Sequence, residues 1–176
     1  MKANVTTVFG SDINTDDIIR ADILQEEWDK QAFAKYAFDK FDPEFRARCA
    51  GAAANVIVAG CNFGSGSSRE QAIYAIRYNN VSFVVAEKDP KTGVAFPDIF
   101  YRNAVNNDLP LIALDSVSGI SLGDALDLDL EGKIIANMTT GQKIPFDMPE
   151  GDIAILREGG LIGMARKDVK ARLSGR

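Results

Sequence analysis

Val56-Ile57-Val58-Ala59-Gly60-Cys61-Asn62-Phe63-Gly64-Ser65-Gly66-Ser67-Ser68-Arg69-Glu70-Gln71-Ala72 is the stretch from which the rest of the chain can be laid out. A run of apolar, partly β-branched residues feeds a loop with Gly60, Gly64 and Gly66, and the loop feeds helical sequence. Ser67 reads as an N-cap, with Glu70 three residues on completing a capping box. A helix entered this way turns free backbone N–H groups and the positive end of its dipole toward whatever lies in front of it. That makes an anion site, and Ser67, Ser68 and Arg69 add two hydroxyls and a guanidinium to it. A capped helix explains the serine and the glutamate. It does not explain the whole cluster.

The helical sequence after the loop runs to about Tyr78, and Val81-Ser82-Phe83-Val84-Val85-Ala86 follows as a strand apolar enough to be buried on both faces. Strand, helix and strand form a parallel crossover unit of right-handed sense. The glycine loop then lies at the carboxyl end of a parallel strand, where open α/β sheets bind ligands. Upstream, Asn4 to Phe9 reads as a strand ending at Gly10. Ser11 to Ala21 begins as turn sequence with Asp12, Asp16 and Asp17, and Ile18 and Ile19 anchor it to a core. From Glu26 to Phe41, Trp28, Ala32, Phe33, Tyr36, Ala37 and Phe41 recur at helical spacing, which predicts an amphipathic helix whose aromatic stripe faces the core. Asp42-Pro43 ends it and opens a short helix to about Cys49.

Downstream, Asp98 to Asn107 is read as a helix and Leu109 to Leu114 as a strand. Leu126 to Leu130 alternates with period two, Glu131-Gly132 turns, and Lys133 to Asn137 and Thr139 to Phe146 return as antiparallel arms. A last helix spans Glu150 to Arg157, stopped by Gly159-Gly160, and the basic tail from Arg166 to Arg176 is expected to fray. The reading is α/β: one mixed domain over residues 1–176.

Composition narrows the chemistry. The chain has 176 residues, 46% of them hydrophobic, so it can bury a core without staples. A net charge of −5 argues against a nucleic-acid or anionic-membrane partner. Met1 to Thr6 lacks the apolar segment of a signal peptide, and no stretch is long enough to span a membrane, so a cytoplasmic protein is expected. There is no histidine, which removes every Ser–His and Cys–His mechanism within this chain. Two cysteines, Cys49 and Cys61, are too few for an iron–sulfur cluster, and we read Cys61 as buried packing.

The loop fails the Walker pattern, because Gly66 is followed by Ser67-Ser68 with no lysine. It also fails the dinucleotide fingerprint, because Arg69 stands where the third glycine belongs. A carboxylate site remains: Arg69 can grip a carboxylate with two parallel hydrogen bonds while loop N–H groups add more. With catalysis added, Ser67 or Ser68 moves a proton, its alkoxide stabilised by the helix N-terminus, the arginine and a dry site.

The string from Gly60 to Ala72 closely resembles the signature of the small-subunit family of 3-isopropylmalate dehydratase, equivalent to the mobile swivel domain of aconitase. Asp12-Ile13-Asn14-Thr15-Asp16-Asp17-Ile18-Ile19, Phe100 to Pro110 and Glu158-Gly159-Gly160-Leu161-Ile162 match three more of the family's strings in the right order. The resemblance implies a three-layer β/β/α fold and a hydro-lyase that moves a hydroxyl between adjacent carbons of a malate-type acid. It implies no cofactor in this chain and a [4Fe–4S] cluster, acting as Lewis acid, in a partner large subunit. By motif position Ser67 takes the proton α to a carboxylate and Ser68 assists. Arg69 holds a carboxylate, Asp16 matches a catalytic, active-site aspartate of the family's N-terminal motif, and Gly66 belongs to the substrate cradle. The chain departs from the isopropylmalate pattern at Arg20-Ala21-Asp22-Ile23-Leu24-Gln25-Glu26-Glu27, where a proline and a Tyr-Leu-Arg-like segment are usual. Arg20 then holds a second carboxylate or lies on the surface. Homoaconitate, citramalate, dimethylmalate or maleate chemistry stays open beside isopropylmalate, as does a non-catalytic module binding small di- or tricarboxylates.

Overall fold

A computed structural model describes residues 1–174 and shows one seven-stranded mixed sheet in the order β4-β3-β2-β1-β5-β6-β7. The strands are β1 (Lys2–Val8), β2 (Asn55–Ala59), β3 (Val81–Glu87), β4 (Leu111–Leu114), β5 (Ala125–Asp129), β6 (Ile134–Asn137) and β7 (Lys143–Pro145). Strands β1 to β4 are mutually parallel, and β1, β5, β6 and β7 pair antiparallel in turn. β1 is the pivot: Asn4 pairs with Asn55 on one flank and Ala125 on the other.

The apolar runs explain the layering. Alternate residues of β2 and β3 go to opposite faces. Ile57, Ala59, Val84 and Ala86 join one cluster with the helices, among them Ile18, Ile19, Phe45, Ile73, Ile76 and Phe100. Val56, Val58, Phe83 and Val85 join a second cluster with Leu126, Leu128, Ile135 and Phe146 of the antiparallel half. The sheet therefore curls so that its two halves share one core, and helices cover the outer face of the parallel half. That is the β/β/α layering. Buried Asn55 ties the start of β2 to its neighbours, its Nδ2 donating to the carbonyls of Cys49 and Asn79, each at 3.1 Å.

The helices are α1 (Thr15–Ile18), α2 (Ile23–Glu26), α3 (Phe45–Ala50), α4 (Glu70–Arg77), α5 (Asp98–Asn106), α6 (Glu150–Arg157) and α7 (Gly160–Ser174). Three expectations need correction. The amphipathic helix over Glu26–Phe41 does not form: α2 ends at Glu26, and only a 3₁₀ turn over Ala32–Tyr36 follows. The Glu27 carboxylate accepts from the backbone N–H of Trp28 and Asp29, Asp29 accepts from Gln31, and Phe38 takes a left-handed φ of 52°. Such local bonds compete with a helical ladder. Phe33, Ala37 and Phe38 are still buried, but Trp28 is 84% exposed and is not core.

The helix after the central loop starts at Glu70 rather than beside a Ser67 cap, and no side chain caps it. The tail is not frayed where it is described, because α7 is helical through Ser174, and residues 175–176 lie outside the described residues. Gly159 and Gly160 do end α6. Gly160 then starts α7 against the backbone of Asn106, where a Cβ would approach the Asn106 carbonyl to 2.5 Å. No described helix is long and apolar enough to cross a membrane.

Candidate active site

The loops leaving β1 and β2 meet at the carboxyl end of the parallel strands. Their backbones are zipped together: Gly64 N–H donates to Ile13 O at 2.7 Å, Thr15 N–H to Ser65 O at 2.9 Å, and Asp12 N–H to Cys61 O at 2.9 Å. The Asn62 amide adds a bond to Asp12 at 2.8 Å. Asn14 caps α1 in a reciprocal box with Asp17, which fixes the direction in which Thr15 and Asp16 leave the backbone. The aspartates expected as turn chemistry or site groups thus divide. Asp17 serves the cap, and Asp16 is free to reach outward.

From behind, Phe63 is fully buried, with Phe100 packed edge-on against it at 5.9 Å between ring centroids. Gly64 lies so close to the Phe100 ring that a Cβ there would come within 2.3 Å of it, and its φ of +85° also excludes a side chain. Asn103 of α5 donates to the carbonyl of Ser68 at 3.0 Å, and Asn107 to the carboxylate of Glu70 at 2.8 Å. Glu70 therefore faces α5 rather than the cap assigned to it from sequence.

Four alternate residues of the loop, Asn62, Gly64, Gly66 and Ser68, have left-handed φ values of 61°, 85°, 87° and 48°. Alternation of hand bends a backbone so that successive N–H groups converge on one concavity, the geometry that receives anions. Ser68 is not glycine, so its conformation stores about 1–3 kcal/mol of strain, held by the Asn103 bond. The same conformation breaks the helical path and explains why α4 starts late. Among the described residues, the backbone N–H groups of residues 66–71 donate to no protein acceptor.

Ser67 is exposed at the tip of the loop, and its Oγ lies 3.1 Å from Oγ1 of the fully buried Thr15. Arg69 is mostly covered; its Nη1 contacts Asp16 Oδ1 at 2.5 Å and the Ile19 carbonyl at 3.5 Å. No protein acceptor among the described residues meets the other edge of this guanidinium, Nε and Nη2. Asp16 thus holds one side of the fork while the other is presented for a two-pronged bond to a carboxylate. Gly66, Ser67, Ser68, Arg69 and Asp16 are brought to one place.

Arg20 is engaged differently. Nε and Nη2 bind the two oxygens of Asp22 at 3.0 and 2.9 Å, and Nη1 meets Asp39 at 2.5 Å. Asp22 and then Asp39 hold the Arg20 guanidinium above its ordinary pKa, and Arg20 in return lowers Asp22. Its fork is filled by the chain's own carboxylates.

Cys61 corrects an expectation. It is half-buried, and its Sγ donates to Ser11 Oγ at 3.3 Å and lies 3.8 Å from Asp89. The backbone N–H groups of Thr92 and Lys91 hold that Asp89 carboxylate below its ordinary range. Cys49, by contrast, is buried in the core, and burial pushes its thiol up to about 11. The two cysteines do not fit an iron–sulfur cluster, and no group of three or more His, Cys, Asp or Glu among the described residues is arranged to hold a metal ion.

Sequence reasoning missed Thr15 and Asn103. Both stand inside strings it singled out, but neither residue type announces a contact across more than thirty residues of chain.

A glycine-rich loop backed by a helix at the carboxyl end of parallel strands, facing an aspartate-bearing turn from the preceding strand, is an arrangement carried by a fold with known relatives. Residues 6–116 match the Aconitase C-terminal domain, and the chain belongs to that family. It is 39% identical over 161 residues to the 3-isopropylmalate dehydratase small subunit of Pyrobaculum neutrophilum, covering 90% of this chain and 93% of that one. It is 37% identical over 171 residues to the protein of the same description from Aquifex aeolicus, covering 93% and 94%. The crystal structure of 3-isopropylmalate dehydratase from Methanocaldococcus jannaschii superposes with a TM-score of 0.83 at 34% identity, over 99% of this chain and 98% of that one.

Proposed function

We propose that this chain is the small subunit of a hydro-lyase of the 3-isopropylmalate dehydratase type, acting in leucine biosynthesis in the cytoplasm, and that residues 1–176 work as one swivel-like domain. The observation that carries the reading is the Ser67 hydroxyl. It stands exposed before α4, beside a guanidinium with one edge free, in a chain with no histidine. A serine moves a proton only where its anion is stabilised, and the N-terminal amides of α4, the loop N–H groups and Arg69 supply that field.

In this reading the open edge of Arg69 binds a substrate carboxylate, and Asp16 keeps the guanidinium turned toward it. The Gly66 amide and Ser68 extend the cradle. Ser67 takes the proton from the carbon α to that carboxylate and returns it when water is re-added. The residues of this chain do not hold the iron–sulfur group of the aconitase family, so we assign a [4Fe–4S] cluster to a partner large subunit. There it would supply Lewis-acid activation of the departing hydroxyl. The exposure of Ser67 and Gly66 supports a site completed by another chain.

The departure of Arg20 to Glu27 from the isopropylmalate pattern favours a second reading of substrate choice, although Arg20 itself is engaged within the chain. With its fork occupied by Asp22 and Asp39, it reaches a second substrate carboxylate only by surrendering one of them. The same subunit type acting on homoaconitate, citramalate, dimethylmalate or maleate is the alternative. Turnover by the chain reconstituted with its large subunit, against isopropyl-, methyl- and carboxyalkyl-substituted malates, separates the two. Fastest turnover of isopropylmalate supports the first reading. Full-strength dicarboxylate binding by the isolated chain, with no turnover by the pair, would make it a binding module instead.

A further inference from the structure

The geometry points to Thr15 as the positioning residue of Ser67, a buried hydroxyl that donates to Ser67 Oγ and holds it in one orientation through the proton transfer. The inference rests on Ser67 being the proton-transfer group. Thr15 is completely buried, and among the described residues Ser67 Oγ is the one hydrogen-bond partner of its hydroxyl, at 3.1 Å. The large majority of buried hydroxyls share their proton, because they cannot turn to water. The ordinary outlet for a helical threonine, a carbonyl in the preceding turn, is not used, since Thr15 is the first residue of α1. Either oxygen can supply the proton of this contact, and we assign it to Thr15, whose hydroxyl has no other acceptor among the described residues, with Ser67 Oγ accepting.

The direction of this bond matters. Ser67 Oγ accepts from Thr15, so its own proton points elsewhere, toward the open side where it is exposed. When Ser67 gives up that proton, the bond to Thr15 becomes charge-assisted and shortens, which favours the anion. When Ser67 takes a proton from substrate, the same bond keeps the new O–H from swinging inward.

The surrounding structure fixes Thr15 in place. Its N–H donates to Ser65 O at 2.9 Å, its carbonyl accepts from Ile19 at 2.9 Å, and Asn14 caps the turn that carries it. Gly66 passes close by, since a Cβ there would sit 3.4 Å from Thr15 Oγ1. Donor and acceptor are thus carried on two backbone segments already zipped together. Arg69 and Asp16, which pair with each other, give Ser67 Oγ no second partner among the described residues.

The test compares Thr15→Val, Thr15→Ala and Thr15→Ser in the chain reconstituted with its large subunit, beside Ser67→Ala. Thr15→Val and Thr15→Ala should lower kcat by about 10²-fold, the usual loss of one donor to a developing oxyanion, with KM within about twofold. Thr15→Ser, which keeps the donor, should restore most of the rate. A readout independent of turnover is the Ser67 χ1 angle in the isolated chain, from a crystal structure or from NMR couplings. It should be single in wild type and Thr15→Ser, and averaged in Thr15→Val. Wild-type kcat in Thr15→Val alongside an inactive Ser67→Ala overturns the role of Thr15 and leaves the reading of Ser67 standing. An equal loss in Thr15→Ser marks a packing role and also overturns it. If Ser67→Ala itself keeps the rate, the assignment of Ser67 is what has failed.

Discussion

Residues 12–19 and residues 20–41 follow one another in the chain and could hardly be built more differently. The first segment is zipped to the central loop by backbone bonds, capped at Asn14 and anchored by Ile13, Ile18 and Ile19, all buried. The second is a short helix, a 3₁₀ turn and a series of local side-chain bonds, with Trp28 almost wholly exposed and Phe41 partly so. The segment that carries Thr15 and Asp16 has its geometry over-determined by backbone bonds and a cap, whereas the one after it is held mainly by burying Phe33, Ala37 and Phe38.

The contrast can be broken most directly at Ser67. Ser67→Ala should cost about 10²–10⁴-fold in turnover of the reconstituted pair, the usual range for a lost proton-transfer group, while size-exclusion chromatography finds the subunits still associated. Phe63→Ala attacks the base of the same site. It should destabilise the chain by about 3–5 kcal/mol in urea titrations, because a fully buried ring leaves a cavity under the loop. Arg69→Lys should raise KM roughly tenfold or more with a smaller effect on folding, since an ammonium cannot bond Asp16 and still offer a fork.

A smaller effect sharpens the comparison through the cysteines. Cys49 lies in α3, just past the irregular segment, with its thiol pushed up to about 11 by burial. The folded chain keeps a proton there that the unfolded chain releases near its ordinary value. The associated stability is therefore complete below pH 9 and declines as pH rises from 9 toward 11. Thiol alkylation at pH 8 should accordingly modify Cys61 and spare Cys49, read by peptide mass mapping. The smallest effect is expected at Trp28: Trp28→Ala should move stability by no more than about 0.5 kcal/mol, as the side chain has almost no packing to lose.

Much of this was legible in the residues. Val56–Ala59 read as a strand feeding the glycine loop, Val81–Ala86 as a strand too apolar for an exposed face, and period-two alternation at Leu126–Leu130 gave the antiparallel half. Glu150–Arg157 matched residue for residue. The failures share a cause. Ser67 and Glu70 have the spacing of a capping box, but tertiary partners, Thr15 and Asn107, took both side chains. The apolar spacing after Glu26 marked several buried positions yet not their secondary structure, because Glu27 and Asp29 satisfy local backbone groups before a helix can. The tail read as frayed because its composition is polar and basic, whereas α7 continues through it, exposed. For the site, the loop and its arginine were plain from chemistry, while Thr15 was invisible because a lone threonine carries no spacing signature.

The placement of β1 has a consequence for how the chain is made. Among the described strands it comes first in the chain, yet it lies at the middle of the sheet, between β2 and β5. Its flank toward β2 is covered after Ala59, but the other stays bare until Ala125–Asp129 has been synthesised. The parallel half is thus complete in the chain before the late strands cover the bare edge of β1.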